Sequence, residues 1–176
     1  MKDQIIREIK LIERYSRHNE DEDFRFRNFY KYQLNLSNSK LDAVVQEITD
    51  EVWKQIDCTT CANCCKTLQV IIDDKDITRL AVQLRMTVPQ FSNKYVRTAA
   101  DGLKHFASMP CPFLDANNLC SVYEDRPQTC RDYPFLYNKD FRDRSLTMIE
   151  STAFCPIVFN VWKSLKQRLW PHRRKG

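Results

Sequence analysis

The segment Cys58-Thr59-Thr60-Cys61-Ala62-Asn63-Cys64-Cys65 puts four thiols within eight residues. Two-residue gaps let successive side chains turn back toward one point in a tight loop. That local geometry serves both zinc sites and ferredoxin-type clusters. Chance rarely gives three cysteines at such spacing. The fourth is directly adjacent, and neighbouring side chains tend to diverge. Cys64 and Cys65 are therefore expected to serve different places: one completes the local trio, the other meets the distal cysteines Cys111, Cys120, Cys130 and Cys155. Eight thiols can fill two four-ligand centres, or one centre with several thiols buried or in reserve. The spacing leaves both open.

The distal cysteines have distinctive neighbours: Pro110-Cys111-Pro112, Leu119-Cys120-Ser121, Arg126-Pro127-Gln128-Thr129-Cys130-Arg131 and Cys155-Pro156. Proline removes an N–H and fixes the direction of the chain beside a ligand. Cys-Pro also closes bacterial ferredoxin runs, which tilts the choice toward a [4Fe–4S] cluster, with zinc as the alternative. Arg126 and Arg131 flank Cys130 and have two readings. They stabilise a negative metal–thiolate centre or bind an anionic ligand beside it, or they pair with Glu124, Asp125 and Asp132. Tyr123, Tyr133 and Phe135 are suited to shielding the centre from water, or to ordinary core packing. His105 is a further donor near Cys111, read as packed or solvated. Asp73, Asp74 and Asp76 fit a helix start better than a hard-metal loop. No catalytic triad order or nucleophile elbow is present.

Composition sets the surroundings. The charged N-terminus has no apolar signal region, and no apolar run is long enough to span a membrane. The protein is expected in the cytoplasm, where cysteines are metal ligands more often than disulfides. Formal charge is +5 with neutral thiols. A four-thiolate zinc site or [4Fe–4S] cluster carries about −2, which absorbs much of that excess. Nucleic acid is therefore not an expected partner, and the basic tail His172-Arg173-Arg174-Lys175 reads as solvated.

The elements that must position the thiols are helical. A mainly α fold of short amphipathic helices is expected, with metal-organised cysteine-rich loops and a small β-hairpin. Residues 1–57 form a cysteine-free helical part and residues 58–176 the cysteine-cluster part of one compact unit. Helices are expected over 3–17, after the acidic run Glu20–Asp23 (read as a solvated cap), over 40–56 with Ser39 and Asp42 as a capping box, and over 73–85. Another starts at Thr87, with Gln90 closing a capping box and Met86 and Phe91 a hydrophobic staple. Pro127 is expected at the first position of a short helix carrying Cys130. The last helix runs over 156–170, with Pro171 ending it. Residues 103–109 and 144–150 read as short strands.

The whole pattern, Cys58-x-x-Cys61-x-x-Cys64-Cys65, Cys111-Pro112-Phe113-Leu114, Cys120-Ser121-Val122-Tyr123-Glu124-x-Arg126-Pro127-x-x-Cys130-Arg131-x-Tyr133-Pro134 and Cys155-Pro156, resembles the YkgJ-type cysteine-cluster family, a zinc- or iron-chelating CxxCxxCC domain. The resemblance implies that Cys58, Cys61, Cys64, Cys65, Cys111, Cys120, Cys130 and Cys155 are metal ligands. Three functions follow as expectations. The first is an iron–sulfur or zinc protein in redox, sensing or metal delivery. The second is a structural zinc module that binds a protein partner. The third is an enzyme similar to a flagellin lysine N-methylase with a related cysteine cluster, although only two glycines occur and no glycine-rich loop offers a site for S-adenosylmethionine.

Overall fold

The computed structural model describes residues 4–170. The expectations for Pro171 and the basic tail lie outside them. Along the chain run α1 Ile9–His18, α2 Glu20–Tyr32, α3 Asn38–Trp53, α4 Cys58–Cys61, α5 Asn63–Thr67, α6 Asp74–Gln83, α7 Val88–Tyr95, strands β1 Val96–Thr98 and β2 Lys104–Phe106, then α8 Gln128–Asp132, α9 Ser145–Thr152 and α10 Pro156–Leu169. The fold is mainly α, as expected. No helix among the described residues is long and apolar enough to cross a membrane.

The chain divides into two compact units. One comprises residues 1–57 and 134–176, the other residues 58–133. The first is a helical unit in which α10 packs on α1, α3 and α9. The predicted apolar face of α3 is buried at Leu41, Val45, Ile48 and Val52, and α10 contributes Ile157, Val158, Val161, Trp162 and Leu165. Trp162 meets Phe26 and Tyr30 edge-on, with ring centroids 5.3 and 5.9 Å away.

Several local expectations are corrected in this unit. Helix α1 starts at Ile9 rather than residue 3. The Asn160 side chain holds the Ile6 backbone instead: Oδ1 accepts from its N–H at 3.0 Å and Nδ2 donates to its carbonyl at 2.7 Å. Ser37, not Ser39, caps α3, accepting from the Lys40 N–H. Asp42 instead accepts from the backbone N–H groups of Asp140 and Phe141 at 3.0 and 2.9 Å. The segment 144–150 is helical, because Met148, Ile149 and Thr152 form one buried helical stripe in α9. The acidic run does open α2, but it is not simply a solvated cap. Asp23 is buried, accepting from Lys166 Nζ at 2.5 Å and Trp162 Nε1 at 2.9 Å.

The second unit has its own core of Ile72, Ile77, Leu80, Phe91, Phe106, Phe113 and Val122. Both helix starts expected there are present. Asp73 and Asp76 form a capping box at α6, and Thr87 and Gln90 form one at α7. Met86 packs on the cluster that contains Phe91, as the staple requires. The strand expected over 103–109 shortens to β2, paired antiparallel with β1 in the register Val96↔Phe106, Arg97↔His105 and Thr98↔Lys104. Gly102, at φ 83°, lies in the connecting turn, where a side chain would be strained.

Candidate metal centre

All the candidate ligands except Cys155 lie in the second unit. Its first two helices are made almost entirely of the motif. Cys58 and Cys61 occupy the ends of α4, and Cys64 and Cys65 lie in α5. Ala62 separates them in the left-handed conformation, φ 49° and ψ 14°. For a residue with a Cβ that conformation costs roughly 1–2 kcal/mol. The strained turn is what allows two short helices to carry four thiols in one compact loop.

Cys64 and Cys65 do not diverge as their adjacency suggested. Their Sγ atoms are 3.9 Å apart. The hydrogen bond from Cys64 pulls the Cys65 thiol down to about 7, against the opposing effect of burial and with help from Lys66.

The distal thiols are brought in by backbone pairing. Cys111 follows a cis Met109–Pro110 bond and donates its N–H to the Cys65 carbonyl at 2.8 Å. The chain then turns sharply. Asp115 Oδ1 accepts from the N–H groups of Asn117 and Leu119, both at 2.8 Å, and Leu114 bridges to Cys120. This hairpin is nailed down by Phe113, whose ring lies 5.0–6.3 Å from those of Phe91, Tyr95 and Phe106. Cys111 and Cys120 pack half-buried on the same core.

Cys130 arrives on α8. Pro127 takes the cap position rather than the first helical one. The orphan N–H of Gln128 finds a distant acceptor, Asp76, at 3.2 Å. Asp76 is buried, also receives Arg79 Nη2 at 2.6 Å, and so ties α6 to the Cys130 helix. Arg79 in turn donates to the carbonyls of Asp125 and Arg126 at 3.2 and 3.0 Å. Sequence reasoning missed this bracing role of Asp76 and Arg79. The acids Asp73, Asp74 and Asp76 marked a helix start, but nothing local reveals a contact 52 residues away.

Four thiols share one electrostatic environment. Burial pushes Cys111 up to about 11, and the charges of Cys65 and Cys120 add to it. Burial raises Cys120 as well, helped by Cys65 and opposed by Arg126. Cys130 is pushed up to about 12, first by burial and then by Cys65, Cys111 and Cys120. Thiols that resist ionising together are ionised together by a cation, since a metal ligand is a thiolate and binding expels its proton. The donor chemistry of this set therefore fits a metal–thiolate centre. Among the described residues, no three His, Cys, Asp or Glu donors stand close enough as placed to hold an ion.

The remaining candidates are also placed. Arg126 and Arg131 donate to backbone carbonyls, not to the neighbouring acids. Tyr133 ends the unit just after α8, half-buried. His105 is half-buried in β2, bridged through its backbone to Ile71. Cys155 is buried in the helical unit at the start of α10.

No curated protein and no solved structure matches the chain. A family model does, over residues 57–156, a span that holds every cysteine of the sequence. The chain belongs to the CxxCxxCC family, whose description reads "Putative zinc- or iron-chelating domain".

Proposed function

We propose that Cys65, Cys111, Cys120 and Cys130 ligate one [4Fe–4S] cluster, and that the protein works in electron transfer, redox sensing or metal delivery. The observation that supports this reading is the bonding that draws three separate stretches of chain together: the Cys111 N–H to the Cys65 carbonyl at 2.8 Å, the Leu114–Cys120 bridge, and the Asp76 carboxylate that holds the start of the Cys130 helix. Cys111 is followed by proline, the step that closes bacterial ferredoxin runs, and this tilts the choice toward an iron–sulfur cluster. The half-buried positions of Cys111 and Cys120 against an aromatic core add a low-dielectric wall, which tunes cluster potential. Cys58, Cys61 and Cys64 supply the local trio of a second centre or a reserve. The protein contributes thiolates, apolar shielding and orientation; the cluster, when bound, supplies one-electron chemistry.

Zinc is the second reading, on one observation. Bonds of about 2.3 Å in a tetrahedron place neighbouring thiolates ~3.8 Å apart. The Cys64–Cys65 separation of 3.9 Å is close to that edge.

Anaerobic purification followed by elemental analysis separates the two. The cluster reading expects a brown protein with iron and acid-labile sulfide. A colourless protein with stoichiometric zinc overturns it.

A further inference from the structure

Cys64 and Cys65 are held as a pair by the backbone around them. The Cys64 carbonyl accepts from the Leu68 N–H at 2.8 Å, and the Cys65 carbonyl accepts from the Cys111 N–H at the same distance. Just before them, Ala62 leads the chain into α5 in the left-handed conformation. Adjacent side chains leave a helix roughly 100° apart around its axis. These two thiols nevertheless stand 3.9 Å apart, sulfur against sulfur, and both are half-buried.

Two sulfurs in contact are the starting geometry for thiol–disulfide exchange, in which one thiolate displaces another from a shared sulfur. The backbone opposes a permanent bond. Across a trans peptide, neighbouring Cα atoms lie about 3.8 Å apart, whereas bridged cysteines usually stand roughly 4.4–6.8 Å apart. A disulfide between neighbours is therefore strained, and strain makes it easy to reduce. Such a bond suits a reversible site and not a structural staple.

We infer that Cys64 and Cys65 form a reversible oxidation site whose oxidant is a low-molecular-weight disulfide of the oxidised-glutathione class. One thiolate of the pair attacks a sulfur of the small disulfide and expels the other sulfur as a thiolate. The second member of the pair then attacks the mixed disulfide and expels the remaining small thiolate. The pair loses two protons and two electrons, and the small disulfide becomes two thiols. The consequence for metal rests on the ligand division proposed above, in which Cys65 belongs to the four-thiol set and Cys64 to the local trio. One two-electron event then removes a thiolate from both sets. It also twists the peptide whose carbonyl holds the Cys111 N–H.

The test adds oxidised glutathione in steps to the anaerobically purified full-length chain. Remaining thiols are alkylated and mapped by tandem mass spectrometry, while a chromophoric chelator follows metal release. Cys64 and Cys65 are expected to be the first thiols lost, as a species two hydrogens lighter in which Cys58 and Cys61 are still alkylated. Reduced glutathione reverses the change, and metal leaves in step with the bond. Cys64→Ser and Cys65→Ser stop at the mixed disulfide, with one glutathione on the remaining member of the pair. In urea the preference for this pair disappears, because the fold and not adjacency brings the sulfurs together. A first disulfide between other thiols, or no disulfide at all, overturns the inference, as does an unchanged preference in urea. Metal release while the pair is still reduced overturns its link to the centre. A chain that forms the bond but never holds metal leaves the oxidation site standing and overturns the metal-centre reading.

Discussion

The backbone N–H of Cys111 is bonded to the carbonyl of Cys65 at 2.8 Å, across 46 residues of sequence. One ladder-type bond thus ties the end of the compact motif to the first distal cysteine, and the thiol positions depend on it rather than on either loop alone. Replacing Cys65 or Cys111 by serine is expected to cut metal content per chain by at least half while leaving the chain folded, because serine preserves the backbone bond and removes the ligand. Metal analysis of the purified variants, alongside their circular dichroism, checks this. Full metal content in both would remove these residues from the ligand set.

Asp76 is expected to matter to Cys130 although it stands far from it in sequence. Its carboxylate serves the Asp73 N–H, Arg79 and the Gln128 N–H at once. Removing a buried acceptor from several donors costs roughly 1–3 kcal/mol. Asp76→Ala should therefore lower stability by about that much in urea unfolding and also weaken metal retention, whereas Asp74→Ala, at an exposed site, should do neither.

In the helical unit, the Lys166–Asp23 pair is buried on both sides, and Glu22 accepts from the same ammonium at 2.9 Å. Lys166→Met leaves a buried carboxylate with Trp162 Nε1 as its one side-chain donor among the described residues, and breaking such a pair costs about 3–5 kcal/mol. Denaturant unfolding measures it. The double change Asp23→Leu with Lys166→Met should recover part of the loss, since no lone charge is then left inside.

Burial raises Tyr30 from 10.0 to about 12, with Arg27 and Arg142 pulling the other way. The sign follows from linkage. The unfolded chain releases this proton near pH 10, while the folded chain keeps it until about 12. The stabilisation is whole below pH 10 and is lost as pH climbs through 12. The urea midpoint should fall across that window, and ultraviolet titration should show a late-ionising tyrosine. Tyr30→Phe should flatten the fall.

Much of the helical scaffold can be read locally. The stripe Leu41, Val45, Ile48 and Val52, and the pairs Asp73–Asp76 and Thr87–Gln90, are short-range patterns whose physics lies within one or two turns. Three of the misreadings share a cause, a distant partner. Asn160 draws Ile6 out of a helix, Asp42 leaves its own helix start to hold residues 140 and 141, and Lys166 takes Asp23 into the interior. The same holds for the thiols. The motif announces Cys58 to Cys65, but the bond that brings Cys111 to the Cys65 carbonyl spans 46 residues and shows only in the folded chain.

The two-unit division sets an order of manufacture. Residues 58–133 form a complete unit, whereas the other unit needs residues from both sides of that stretch. Protein chains emerge amino end first. The ribosome therefore finishes every residue of the thiol-bearing unit before it has made α9 or α10, while α3 still lacks the helix that will cover it. A nascent chain at that stage exposes an apolar flank of α3 until α10 has emerged to cover it.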